Sequence, residues 1–279
     1  MVVSRIAPTP SGYLHMGNAV NFLLTAWYVQ AHDGKLLLRI DDMDATRCRS
    51  AYVDDVFFAL EWLGIEYDEG PSGGDDFYRN YSMRHKTEYY RSELQKLEER
   101  SGLLYACECS RKTIEEHRNT DGTYPQICRH SGHALEINRS AMRIHVPDDT
   151  VIMVEERPIR LDREMGDFVL WRKDGLPAYQ FVSVIEDRDL GVNALIRGED
   201  LLLSSAAQLY LAPMMGAGVF ADATFIHHGL FTGSGGRKLS KSDGAYSLKM
   251  MGHSESAKAM IYEEARKMAQ ALGIFDPAR

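Results

Sequence analysis

Two short stretches far apart in the chain carry groups suited to binding phosphate. The first, His15-Met16-Gly17-Asn18, combines a histidine that can donate to an oxygen with a glycine that lets backbone approach a ligand closely. The second, Lys238-Leu239-Ser240-Lys241-Ser242, lies in a glycine-rich stretch with Arg237 and places two lysines three positions apart. Such a span is predicted to be a basic loop rather than the interior of a helix or strand. Each has an ordinary alternative, a strand-to-helix turn in the first case and a solvated loop in the second. No GxxxxGK[ST] spacing occurs, so a P-loop is excluded.

The elements around the first stretch give it a position. Val2–Ile6 reads as a short strand, the APTPSG segment as a turn, Asn18–His32 as a helix, and Lys35–Ile40 as a second strand running into the acidic DDMD. The helix is apolar on nearly every side, as a buried crossover between parallel strands should be. Its N-terminus would then stand at the carboxyl end of the first strand, with free N–H groups and a positive dipole end turned toward an anion.

Three cysteines fall close together, at Cys107, Cys109 and Cys128. In a chain read as cytoplasmic this clustering favours a metal over a disulfide, and tetrahedral structural Zn²⁺ is the natural occupant of a thiolate set. The alternatives are packed thiols or a redox pair. A fourth ligand could come from Tyr124, His117, His130 or His133. Cys48 is isolated and reads as a small packed side chain.

Further along, Ala51–Leu63 has helical spacing closed by Gly64, and Tyr81–Arg100 reads as a more charged helix stopped by Gly102. Met142–Trp171 switches to short apolar runs that suggest hairpins. Helix and strand then alternate from Pro177 to Phe231, and Ser254–Leu272 has strong helix propensity. We therefore expect an α/β protein with a Rossmann-type parallel sheet. The expected organisation is a first half over 1–104, a small β-containing, zinc-bearing insertion over 105–172, a second half over 173–245 and a helical segment over 246–279. With 279 residues, 44% hydrophobic, the chain can bury a sizeable core; its net charge of −8 leaves no general basic footprint, so a nucleic-acid partner would need a local patch. No apolar run reaches the ~20 residues of a bilayer span, and the N-terminus lacks a signal-peptide pattern. A monomer in the cytoplasm is expected, with no membrane partner.

With these residues in view the chain resembles the glutamyl-tRNA synthetase group of class I synthetases. The resemblance runs through RIAPTPSGYLHMGN, LLLRIDDMDATR, EWLGIEYDEGP, DFVLWRKDGLPAYQFVSVIEDRDLGVNALIRGEDLL and KLSKSDGA, and so covers most of the chain. It implies that His15, Gly17, Asn18, Lys238, Ser240 and Lys241 handle ATP with Mg²⁺, with His15, Lys238 and Lys241 acting in catalysis. It places the glutamate pocket at Arg5, Ala7, Ser11, Asp41, Tyr179, Ser183 and Arg197, where two arginine forks suit the carboxylates of L-glutamate. The short stretch after KLSKS, together with CxC followed by YxxxC, is similar to a truncated branch whose members glutamylate the queuosine base of tRNA(Asp). That branch implies zinc on Cys107, Cys109, Tyr124 and Cys128, and the anticodon arm as partner. Asn18 stands where the class-wide motif ends in histidine, Asp41 where a glutamate is usual, and KLSKS where that branch has a KLSKQ-like form. A stand-alone domain charging a tRNA 3′ end and a catalytically idle RNA-binding relative are the alternatives.

Overall fold

The computed structural model describes residues 1–136, 139–230, 247–252 and 254–274. In chain order its main elements are β1 (Val3–Ile6), α1 (Met16–Ala31), β2 (Lys35–Leu38), α2 (Ser50–Leu63), α3 (Thr87–Ser101), β3 (Leu104–Cys107), β4 (Ala141–Ile144), β5 (Val151–Val154), β6 (Arg157–Arg160), β7 (Phe168–Trp171), α4 (Tyr179–Asp189), β8 (Ala194–Gly198), α5 (Leu202–Leu211), β9 (Thr224–His228) and α6 (Glu255–Leu272). They group into two units. The first comprises Met1–His85, Val192–Asp200 and Ala223–Arg279; the second comprises Lys86–Gly191 and Leu201–Asp222.

In the first unit the β-branched and leucine-rich strands pair in parallel, β1 with β2 and β8 with β9. The two pairs adjoin where Asn193 N–H donates to Val3 O at 3.0 Å and Ser4 Oγ donates to Ala194 O at 2.8 Å. Parallel neighbours need long crossovers, and α1 supplies the one between β1 and β2. Its Ala19, Val20, Phe22, Leu23, Leu24, Thr25, Trp27 and Val29 are all buried, the all-round burial expected of such a helix. The apolar ones share one core with Ile6, Leu38, Leu60, Ile196 and the inner face of α6. Truncating a side chain such as Leu24 to alanine in such packing costs about 2–5 kcal/mol. Two glycines shape this unit's turns. Gly64 ends α2 in the left-handed region at φ 66°. Gly70, at φ 141°, passes so close to β2 that a Cβ there would lie 2.6 Å from Leu38 O.

The second unit carries an antiparallel sheet in the order β3-β4-β7 and a separate β5–β6 hairpin. The hairpin joins its strands by a tight turn, whereas β4 pairs with β3 and β7 across longer connections. Helices α3 and α4 are fastened by the buried Glu186, which accepts from Lys86 Nζ at 2.8 Å and from Tyr90 OH at 2.8 Å.

The helix expected over Tyr81–Arg100 begins later, at Thr87. The buried Asp42 carboxylate accepts Ser82 Oγ at 2.6 Å and Met83 N–H at 2.9 Å. Ser82 is thereby held at ψ 126°, which no helix accommodates. No described helix is long and apolar enough to cross a membrane.

Candidate functional site

Of the groups chosen from the sequence, Arg5, Arg197 and Asp41 stand at the carboxyl ends of parallel strands, where open α/β sheets place ligands. Arg5 is the penultimate residue of β1 and Arg197 the penultimate residue of β8, only 6% and 3% exposed. The Arg197 guanidinium stacks on the Phe225 ring of β9 at 5.4 Å. Guanidinium forks at neighbouring strand ends suit a carboxylate ligand, because their planar donor pairs match its two oxygens. Asp41 follows β2, with its N–H bonded to Pro8 O at 2.9 Å. Its carboxylate is gripped by Arg39, Nε to Oδ1 at 2.7 Å and Nη2 to Oδ2 at 3.1 Å. Ala7 and Ser11 are half-buried in the loop between β1 and α1.

His15 is the extended residue just before α1, at φ −121° and ψ 169°. No acidic side chain occupies the first turn, so the positive end of a 16-residue helix dipole is left for an incoming anion. Gly17 lies in that first turn. Asn18 has a local duty: its Oδ1 accepts the His15 backbone N–H at 3.1 Å, one arm of a capping box. One turn on, Asn21 Nδ2 reaches Ile196 O at 3.1 Å and His228 Nε2 at 3.1 Å, tying α1 to the ends of β8 and β9. Because Nδ1 of His228 faces Gly229 O at 2.9 Å, the ring carries its proton on Nδ1 and accepts at Nε2. Burial holds this imidazole below its ordinary pKa.

Lys238, Ser240 and Lys241 lie outside the described residues. The chain is described again from Ser247, which forms an antiparallel bridge with His15, and Leu248 N–H donates to Leu14 O at 2.8 Å. The stretch following KLSKS is thus paired with HMGN. On the other side of the turn, Leu14 N–H donates to the buried Asp55 of α2 at 2.8 Å.

Tyr179 and Ser183 belong to the second unit. They sit one turn apart at the start of α4, Tyr179 40% exposed and Ser183 1%.

Also in the second unit, Cys107 closes β3 opposite Ala141, and the three thiols assemble with Tyr124. Their Sγ atoms all lie within 4.8 Å of one another, with Cys109 and Cys128 3.4 Å apart. The Tyr124 hydroxyl is 3.2 Å from Cys107 Sγ and 3.5 Å from Cys109 Sγ. Tetrahedral zinc with Zn–S near 2.3 Å and Zn–O near 2.0 Å has S···S edges of about 3.8 Å and S···O edges of about 3.5 Å. The donor set fits such an ion. Among the described residues no histidine joins the group, which narrows the fourth donor to Tyr124. Arg143 lies 3.7 Å over the Tyr124 ring and donates to Asp167 O at 2.9 Å. Burial pushes the Cys109 thiol up to about 11. At Cys107 burial also raises the thiol, but hydrogen bonds with Tyr124 and Arg143 leave it below its ordinary value.

Sequence reasoning missed Arg39, Asp55, Asn21, His228 and Arg143. Asn21 alone carried a signal, as a polar residue inside an otherwise apolar helix; the others take their meaning from distant partners.

The family model for tRNA synthetases class I (E and Q), catalytic domain, matches residues 1–268. A glutamyl-Q tRNA(Asp) synthetase of Pseudomonas entomophila is 39% identical over 246 residues, covering 86% of this chain and 77% of its own length. A glutamate–tRNA ligase of a Sulfurihydrogenibium species is 33% identical over 262 residues, covering 88% of this chain and 54% of its own. Among solved structures, a glutamate–tRNA synthetase from Elizabethkingia anophelis aligns over 87% of this chain and 53% of that one, with TM-score 0.68 at 24% identity, a likeness of fold. The chain therefore spans about half the length of these last two proteins.

Proposed function

This chain belongs to the catalytic-domain family of class I tRNA synthetases of the E and Q type, and from that premise we propose that it activates L-glutamate with ATP and transfers it to the queuosine base of tRNA(Asp). The observation that carries the choice of acceptor is the higher identity to the glutamyl-Q relative than to the glutamate–tRNA ligase. The thiol-and-tyrosine cluster that the same resemblance implied supports it.

In this reading the α-carboxylate of glutamate attacks the α-phosphorus of ATP. A new P–O bond forms, the bond to the bridging oxygen breaks, and pyrophosphate leaves. Mg²⁺ bound with ATP supplies charge neutralisation on the phosphate oxygens. The protein contributes position and preorganised charge rather than a nucleophile. Arg5 and Arg197 hold the carboxylates; Ala7, Ser11, Asp41, Tyr179 and Ser183 complete the amino-acid pocket. His15, Gly17 and the first turn of α1 face the phosphates, and Lys238, Ser240 and Lys241 attend the leaving pyrophosphate. A hydroxyl of the modified base then attacks the glutamyl carbonyl, and AMP departs. Cys107, Cys109, Cys128 and Tyr124 would hold a structural Zn²⁺. The division into 1–104, 105–172, 173–245 and 246–279 belongs to this reading, as do the anticodon arm as partner, a single-chain working unit and a cytoplasmic location.

Charging tests the proposal: glutamate should be accepted by tRNA(Asp) carrying queuosine and refused by the unmodified transcript, with glutamate-dependent pyrophosphate exchange proceeding without tRNA. Acceptance by the unmodified transcript would instead establish the second reading, a domain charging a 3′ end, which the ligase relative favours. Metal analysis of the purified chain should return one zinc per molecule; none would remove the cluster from the account.

A further inference from the structure

Two exposed cations in this acidic chain lie against tyrosine rings rather than carboxylates. Elsewhere, exposed cations such as Arg118, Arg139 and Lys267 rest on carboxylates. Among the described residues Arg49 and Lys249 are in no ion pair, and each is laid against a tyrosine. The Arg49 guanidinium lies 5.8 Å from the centre of the Tyr52 ring. Lys249 Nζ lies 4.3 Å from the centre of the Tyr13 ring and donates to its hydroxyl at 2.9 Å. The two tyrosines meet edge to face, with centroids 5.0 Å apart and planes at 82°. Arg49, Tyr52, Tyr13 and Lys249 thus form a continuous strip within the first unit.

The backbone fixes where the strip begins. His15 and Ser247 form an antiparallel bridge, so Tyr13 and Lys249, two positions to either side, oppose each other on the same face as His15. At the other end Asp55, which holds the Leu14 N–H, sits one helical turn after Tyr52 and sets α2 against the same turn. The strip therefore leads away from HMGN. Its cations are pre-placed by the rings, and an arginine plane backed by an aromatic ring offers its outer face to a nucleobase.

Resting on the reading that the chain acts on tRNA, we propose that this strip docks a single-stranded, unstacked RNA segment. Phosphates meet Arg49 and Lys249, and one base stacks on the guanidinium supported by Tyr52. Because the chain as a whole, at net −8, repels a polyanion, an RNA needs local cations such as these two.

The test uses the full chain and a labelled tRNA(Asp) transcript, titrated between about 50 and 200 mM salt. Each single-strand phosphate contact contributes about 0.7 to the slope of log affinity against log salt, so Arg49→Gln with Lys249→Gln should lower the slope by about 1.4 and the affinity about tenfold. Glutamate-dependent pyrophosphate exchange without RNA should stay within about twofold of the unaltered chain. Tyr52→Leu should weaken binding several-fold with the slope retained, since it removes stacking support and no charge. Unchanged slope and affinity in the double variant overturn the proposal. So does an equal loss of exchange, which would make the strip a brace for the HMGN turn, and so does stoichiometric displacement of the RNA by a polyglutamate peptide. If the unaltered chain shows no exchange while the slope still falls in the double variant, the functional reading fails and the strip stands.

Discussion

The two clusters of functional groups are built in opposite ways. In the first unit Arg5, Asp41 and Arg197 come from three strand ends, brought together by a sheet that hydrogen-bonds Ser4 to Ala194 across 190 positions. In the second, Cys107, Cys109, Tyr124 and Cys128 come from one short stretch and meet around a single tyrosine hydroxyl. The first can exist only once the parallel sheet has formed. The second needs little more than β3 and one loop. The difference predicts that substitutions at one cluster should leave the other's readout largely intact.

The largest effect is expected at the strand ends. Arg197→Met removes one of the two buried guanidinium groups, and kcat/KM for glutamate in pyrophosphate exchange should fall by about 10²–10³, the usual loss for a preorganised charged donor. Zinc content should not change. A loss of metal alongside activity would mean that the clusters are not independent. The converse substitution, Cys109→Ser, should weaken zinc retention by about 100-fold against a competing chelator, while exchange persists within a few-fold. Exchange lost in step with zinc would break the comparison from the other side.

The same contrast explains what could be read from the sequence. The thiol cluster was legible in the cysteine spacing, because its members are near neighbours in the chain. The HMGN turn and the buried helix behind it were equally legible, since periodicity and glycine placement are local signals. What the sequence could not announce was set by distance. Asp42 breaks the start of α3 by capturing Ser82 and Met83 some forty positions away. Arg39 claims the Asp41 carboxylate two positions on, a contact that depends on where the chain leaves β2. That Tyr124 rather than a histidine joins the three thiols likewise needed the loop's path, as three histidines lie equally near in sequence.

A smaller effect should appear with pH. His228 is kept neutral in the fold by burial, and Asn21 uses its Nε2. In the unfolded chain a histidine takes up a proton near pH 6.5, whereas in the fold it does so only at lower pH. The unfolded state therefore binds more protons in this window. Stability should rise with pH through it and be lost as pH falls below about 6.5, by at most ~1.4 kcal/mol per pH unit. Denaturant midpoints measured from about pH 5 to 7 should show this slope, and His228→Gln should flatten it. An identical slope in the variant would show that another group carries the dependence.

The smallest effect bears on the one position where local and functional readings compete. Asn18 replaces the histidine of the class-wide motif, and in this structure its carboxamide oxygen caps the His15 N–H. If capping is its whole duty, Asn18→Ala should cost about 1 kcal/mol of stability and change the KM for ATP only slightly. Asn18→Asp is the sharper variant. A carboxylate caps at least as well and complements the helix dipole, so stability should be kept or improved by a few tenths of a kcal/mol. Yet the same negative charge in the first turn of α1 would repel a triphosphate approaching that turn. Unchanged KM for ATP in Asn18→Asp would place the phosphates away from this helix end and leave Asn18 a cap alone. A KM raised several-fold at undiminished stability would put ATP against the first turn of α1, where the unopposed dipole and the bridge from His15 to Ser247 converge.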